Sequence, residues 1–196
     1  MSEVASTSVR GLAHSMKNVM NGILNHWRYQ VLLTQQVFPS PASEILVVCK
    51  GNICRSPLAE AYLKQQVEKH GLPICVCSAG LETSLGKPAH PHAQVVGVQG
   101  GFSLSTHATQ PLHKDQVERA DMILVMEWPQ RNRLVKLYPQ AKEKVFLLRQ
   151  FYDQSVLEVA DPYSGTIEDF QACFSMMKQA CDVLVKQMLA ASSRQV

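Results

Sequence analysis

The chain has 196 residues, 46% hydrophobic and 18% charged, with a formal net charge of +3. That length fits one domain with a real core and a short appendage, in a protein of soluble globular composition. So mild a charge, with no Lys/Arg cluster interleaved with aromatics, argues against nucleic acid, and no apolar run reaches the roughly 20 residues of a membrane span.

Residues 1–43 carry Arg10, Lys17 and Arg28 and no acid between Glu3 and Glu44. From about Gly11 to Phe38, Leu12, Met16, Val19, Ile23, Trp27 and Val31 recur at helical steps, and Pro39-Ser40-Pro41 follows as a linker. This predicts an N-terminal helical extension without chemistry of its own. Three readings stay open for residues 11–38: contact with an anionic membrane surface, a transit peptide of similar composition, or packing on the chain's own domain or on a second copy.

From Glu44 the pattern changes. Ile45-Leu46-Val47-Val48 reads as a short buried strand, and Pro57-Leu58-Ala59-Glu60-Ala61-Tyr62-Leu63 starts a helix that runs to His70 and stops at Gly71. Ser56 is the expected N-cap, Pro57 takes the first helical position and Glu60 completes a capping box. A second strand is read at Ile74–Cys77, a helix at Pro91–Gln99 and a third strand at Met122–Met126. A helix over Pro129–Tyr138, a fourth strand at Val145–Leu148 and a last helix over Thr166–Ala190 complete the domain at 44–196. Apolar strands alternating with helices mean an α/β fold: a four-stranded parallel sheet with helices on both faces.

Ligands of such sheets bind at the carboxyl ends of strands. There lies Cys49-Lys50-Gly51-Asn52-Ile53-Cys54-Arg55-Ser56, a loop between a strand and a helix N-terminus. Its amides and the helix dipole suit a tetrahedral oxyanion, and Arg55 can close the ring with a bidentate fork. A thiol placed there is held as the thiolate, a nucleophile for phosphoryl transfer. Asn52 suits a left-handed position in the loop.

Cys-Lys-Gly-Asn-Ile-Cys-Arg-Ser-Pro resembles the signature of the low-molecular-weight protein tyrosine phosphatases. The likeness runs from about Glu44 to the last helix and is closest to the bacterial subgroup that works with exopolysaccharide and capsule tyrosine kinases. It implies catalysis by Cys49, Arg55 and Asp161 without metal or other cofactor. Asp161, in Ala160-Asp161-Pro162-Tyr163, matches the family's Asp-Pro motif and would protonate the leaving phenolate. The resemblance also implies a network of Asn52 with Ser56, Ser78 and His107 that shapes the loop, and Ser56 has a second reading beside the N-cap, as hydrogen-bond donor to the Cys49 sulfur. From the same analogy Cys54 would form a reversible disulfide with Cys49; a small buried side chain is the other reading.

Tyr163 is expected to stack beside the substrate ring or to pack under its own loop. Leu81 and Leu85 are expected to form an apolar wall, and Lys50 either charges the pocket mouth or points to solvent. Cys75 and Cys77, on one strand face, and Cys173 and Cys181, on one helix, are read as core. His90-Pro91-His92 lacks a third ligand for a metal.

Three rivals remain. Arsenate reductases of this fold need two further cysteines in a mobile segment, and none stands between Cys77 and Cys173. Phosphoarginine phosphatases typically carry Thr where this chain has Ile53. A non-catalytic phosphotyrosine-binding module would not need thiol, arginine and aspartate together. The expected partner is a phosphotyrosine protein, by resemblance the tail of a membrane-bound bacterial kinase, and the expected compartment is the cytoplasm.

Overall fold

A computed structural model describes residues 42–152 and 155–193. The helix expected over 11–38, and any membrane contact made through it, lies outside the described residues.

Strand β1 (Glu44–Cys49) is buried from Ile45 onward. It carries aliphatic side chains on both faces because it runs through the middle of a sheet covered on both sides. Strands β2 (Cys75–Gly80) and β3 (Met122–Val125) flank it in parallel, and β4 (Val145–Leu147) extends the sheet beyond β3, giving the order β2-β1-β3-β4. The register runs from Glu44 opposite Cys75 to Cys49 opposite Gly80, and from Ile45 opposite Met122 to Val48 opposite Val125.

The chain leaves β1 in one direction, through helix α1 (Arg55–Lys69) to β2, and leaves β3 in the other, through helix α4 (Trp128–Leu137) to β4. Right-handed crossovers of opposite sense put those helices on opposite faces. The strand order reverses between β1 and β3, so their carboxyl ends open the crevice in which such sheets bind ligands.

Between β2 and β3 lie helices α2 (Pro91–Gln99) and α3 (Lys114–Arg119). Helix α5 (Ile167–Ser192) closes the chain and buries Phe170, Cys173, Phe174, Met177, Cys181 and Leu184 at helical spacing. Its start is marked by the Thr166 N–H, which donates to the Asp169 carboxylate over 2.7 Å. Gly71, at φ +64°, ends α1 as expected.

Three sequence expectations need correction. Helix α1 begins at Arg55 with Cys54 as N-cap, so there is no Ser56–Glu60 capping box; the Ser56 hydroxyl is engaged by the loop described below and the Glu60 carboxylate by Ser78 and Lys64. Cys75 is exposed and Cys77 only half-buried, because β2 is the sheet edge and the alternate residue Val76 faces the core. Reading the strand one residue out of phase exchanges its faces. Helix α3 has no counterpart in the sequence reading; at six residues, KDQVER, it offers a single buried side chain, Val117.

Candidate active site

The loop from Cys49 to Arg55 joins the end of β1 to the start of α1. Cys49 is 2% exposed. Its Sγ takes the Asn52 backbone N–H at 3.2 Å and lies 3.0 Å from the Ser56 hydroxyl. Asn52, at φ +52°, is the one non-glycine residue with positive φ among the described residues. Asn and Asp tolerate that region best among residues with a β-carbon.

The Asn52 side chain fixes the direction of a hydrogen-bond chain. Its Oδ1 accepts the Gln110 N–H (2.9 Å), and its Nδ2 donates to both Ser56 Oγ and Ser78 Oγ (2.8 Å each). Each hydroxyl thus keeps its own single proton to give. Ser78 gives its proton to the Glu60 carboxylate over 2.5 Å, which leaves the Ser56 proton for Cys49 Sγ. His107 contributes differently from expectation: its Nε2 meets the Asn52 backbone oxygen at 2.8 Å rather than the side chain.

Behind the loop, Gly80 ends β2. A β-carbon there would stand 3.0 Å from Asn52 Cβ and 3.1 Å from its backbone nitrogen, closer than ordinary contact.

Arg55 is 1% exposed. Nη1 donates to Glu127 Oε2 (2.7 Å) and to the Val159 carbonyl (2.9 Å), and Nη2 meets Asp161 Oδ2 at 2.7 Å. Burial alone works against its charge, but Cys49, Glu127 and Asp161 outweigh burial and push its pKa up. Nε is buried with no hydrogen-bond partner among the described residues. An orphaned donor on a charged guanidinium is costly unless an anion meets it.

A cavity of about 230 Å³ opens over the sulfur, lined by Cys49, Lys50, Gly51, Ile53, Cys54, Arg55, Glu82, Asp161 and Tyr163. Tyr163 is 59% exposed at its rim, and its N–H donates to Asp161 Oδ1 over 3.3 Å. Lys50 reaches the rim and pairs there with Glu82 at 3.8 Å. Cys54 is buried, and burial first, then Asp161 and Cys49, push its thiol up to about 12. Cys173, on α5, is likewise pushed up to about 12, chiefly by burial.

The expected Leu81–Leu85 wall is not part of this cavity. Leu85 is 67% exposed, and Leu81 lines a neighbouring concavity with Pro129 and Arg133. The ladder continues past β2, with Leu81 N–H bonded to the Cys49 carbonyl and Glu82 N–H to the Lys50 carbonyl. In the bend after β2 Glu82, rather than either leucine, reaches the cavity.

Glu127 was missed by sequence reasoning, and Glu60 was read as a capping-box residue rather than as the acceptor for Ser78. Glu127 directly follows Met126 at the carboxyl end of β3, next to β1 in the sheet, so a charged residue leaving a central buried strand was the available signal. Gln130 steadies it, donating from Nε2 to Oε2 over 2.6 Å. Among the described residues no three His, Cys, Asp or Glu side chains are placed to hold a metal ion.

Residues 44–194 match the model of the family described as low molecular weight phosphotyrosine protein phosphatase. The chain belongs to this family. It is 36% identical over 146 residues to the probable low molecular weight protein-tyrosine-phosphatase EpsP of Ralstonia nicotianae, covering 74% of this chain and 96% of the relative. It is 32% identical over 145 residues to a protein-arginine-phosphatase of Bacillus subtilis, with coverage of 74% and 96%. Among solved structures, the Erwinia amylovora tyrosine phosphatase AmsI superposes with a TM-score of 0.71 at 33% identity, over 78% of this chain and 97% of that one. Cys49, Arg55 and Asp161, which the resemblance named as catalytic, all line this one cavity.

Proposed function

We propose that this chain is a protein tyrosine phosphatase that hydrolyses phosphotyrosine through a phosphocysteine at Cys49. The carrying observation is the buried Arg55, with Nε unpartnered and its Nη2 shared only with Asp161, over a sulfur that already receives two hydrogen bonds. A phosphoryl group entering the loop meets Arg55 Nε and Nη2 and the helix-terminal amides, which is the positioning and charge stabilisation this chemistry needs.

Cys49 Sγ attacks phosphorus while the bond to the phenolic oxygen breaks. Protonated Asp161 gives its proton to that oxygen, and tyrosine leaves. Asp161, now a carboxylate, takes a proton from the water that attacks the phosphocysteine, and the S–P bond breaks to release phosphate. The Ser56 hydroxyl stabilises the sulfur when it leaves as thiolate.

Phosphoarginine is the rival substrate, since the Bacillus subtilis relative is a protein-arginine-phosphatase. Ile53 and Tyr163 favour phosphotyrosine: both border the cavity and offer apolar surface to a phenyl ring, whereas a guanidinium leaving group calls for polar partners. The physiological substrate we assign is the phosphorylated tail of a membrane-bound exopolysaccharide-export kinase, supported by the likeness of the loop to the subgroup serving such kinases. The reaction would take place in the cytoplasm.

The test is phosphate release, without added metal, from phosphotyrosine, phosphoarginine and phosphoserine peptides, with Cys49→Ser alongside. Phosphotyrosine should turn over best and Cys49→Ser should be inactive. Faster phosphoarginine turnover would transfer the assignment to that class, and an active Cys49→Ser would remove the phosphocysteine.

A further inference from the structure

His90 lies outside the cavity but touches both of its sides. Its backbone N–H donates to the Ile53 carbonyl over 3.0 Å, so it grips the phosphate loop next to the side chain that borders the cavity. Its ring stacks on Phe170 of α5, with centroids 4.7 Å apart and planes inclined by 19°, and Phe170 is fully buried. The other edge of that ring meets Tyr163, centroids 5.6 Å apart and planes at 66°. Tyr163 is mostly exposed, and His90 is the described ring against which it packs.

The imidazole is itself fixed. His90 is the N-cap of α2, and its Nδ1 accepts the His92 N–H at 3.2 Å, which requires that nitrogen to be unprotonated. Burial, with the neighbouring His92, moves its pKa down, in the same direction.

We propose that His90 is a positioning residue that sets the width of the slot receiving the substrate's aromatic ring. Its main chain holds Ile53 on one side, and its ring, seated on Phe170, braces Tyr163 on the other. Ile53 and Tyr163 both line the cavity, and a single residue joins them. This rests on the reading of the substrate as an aryl phosphate.

The test compares binding of benzylphosphonate and of inorganic phosphate to Cys49→Ser protein carrying His90→Asn or His90→Phe. Asn keeps a side-chain acceptor for the His92 amide and removes the ring, whereas Phe keeps a ring and removes the acceptor. His90→Asn should weaken benzylphosphonate roughly three- to tenfold, the reach of one aromatic contact, and leave phosphate within about twofold. His90→Phe should restore benzylphosphonate affinity. Unchanged benzylphosphonate binding in His90→Asn would overturn the proposal, and so would equal weakening of both ligands, since that marks damage to the phosphate loop alone. Failure of His90→Phe to rescue would also overturn it. Peptide turnover by the wild-type enzyme is read separately, so an error in the assigned substrate stays distinguishable from an error about the slot.

Discussion

Arg55 and Asp161 hold each other across the cavity, Nη2 to Oδ2 at 2.7 Å, with the guanidinium 1% and the carboxylate side chain 38% exposed. The same Nη2 is one that a phosphoryl oxygen would take. Asp161 therefore competes with the substrate as a carboxylate and assists it as an acid. Asp161→Ala should lower kcat on phosphotyrosine by roughly 10²–10⁴-fold. It should also tighten the binding of inorganic phosphate, because Arg55 loses its competing anion. Steady-state kinetics with phosphate as inhibitor reads both effects, and the loss in kcat should shrink with leaving groups that need no proton. Weaker phosphate binding in the variant would contradict the competition.

Ser56 stands at the end of the hydrogen-bond chain with its proton committed to sulfur. A hydrogen bond to a charged group contributes about 1.5–3 kcal/mol. Ser56→Ala should therefore slow inactivation by iodoacetate near neutral pH by roughly tenfold or more on the same scale. It should also slow breakdown of the phosphocysteine, seen as a larger burst in rapid-quench kinetics. Alkylation at the wild-type rate would mean that the hydroxyl serves the helix rather than the sulfur.

Asn52 combines a left-handed backbone with bonds to Ser56, Ser78 and Gln110. Gly and Ala both remove the bonds, but only Ala keeps a β-carbon at φ +52°. Both variants should be less stable than wild type in urea, and Asn52→Ala should be the worse by about 1 kcal/mol. Equal stability of the two would show that the loop can relax away from this conformation.

Asp121 ties the entry of β1 to the end of α3, accepting from Ser43 N (2.7 Å), Ser43 Oγ (2.9 Å) and Glu44 N (3.0 Å). Burial alone would raise its pKa, but these bonds outweigh burial and hold it below the usual carboxylate range. A carboxylate whose folded pKa is depressed stabilises the fold above its unfolded pKa and loses that contribution as pH falls through the folded value. Asp121→Asn should thus cost about 1–2 kcal/mol at neutral pH. The gap to wild type should close below about pH 4. Urea unfolding across pH 3–7 measures it, and a gap independent of pH would assign the effect to shape rather than charge.

Much of the site was legible because local rules and chemistry agreed along one stretch. Ile45–Val48, the Gly51-Asn52 turn and Pro57 each point to strand, loop and helix, and Cys49 and Arg55 fall where those elements place an anion site. Asp161 was legible through its Pro162 and its position after the last strand. What failed depended on tertiary context. Ser56 read both as an N-cap and as a donor to the Cys49 sulfur; the first reading falls because the helix already starts at Arg55, and the second agrees with the contact to Cys49 Sγ. Glu127 carries no local motif, and the capping-box spacing of Glu60 pointed to the wrong partner, since its acceptor role depends on β2 bringing Ser78 to it. Cys75 misled because an edge strand and a central strand have the same local pattern.

The bare α-carbon of Gly80 gives the phosphate loop its room. No electron pair, proton or charge is contributed there, yet a single methyl would press on the residue that orients both serines. The catalytic apparatus thus includes a place where an atom must be missing. A variant that keeps Cys49, Arg55 and Asp161 intact but fills that place would look competent by its functional groups while its loop is held open from behind. Inspection of reactive side chains alone would pass it, and only the shape of the backbone beneath them would reveal the fault.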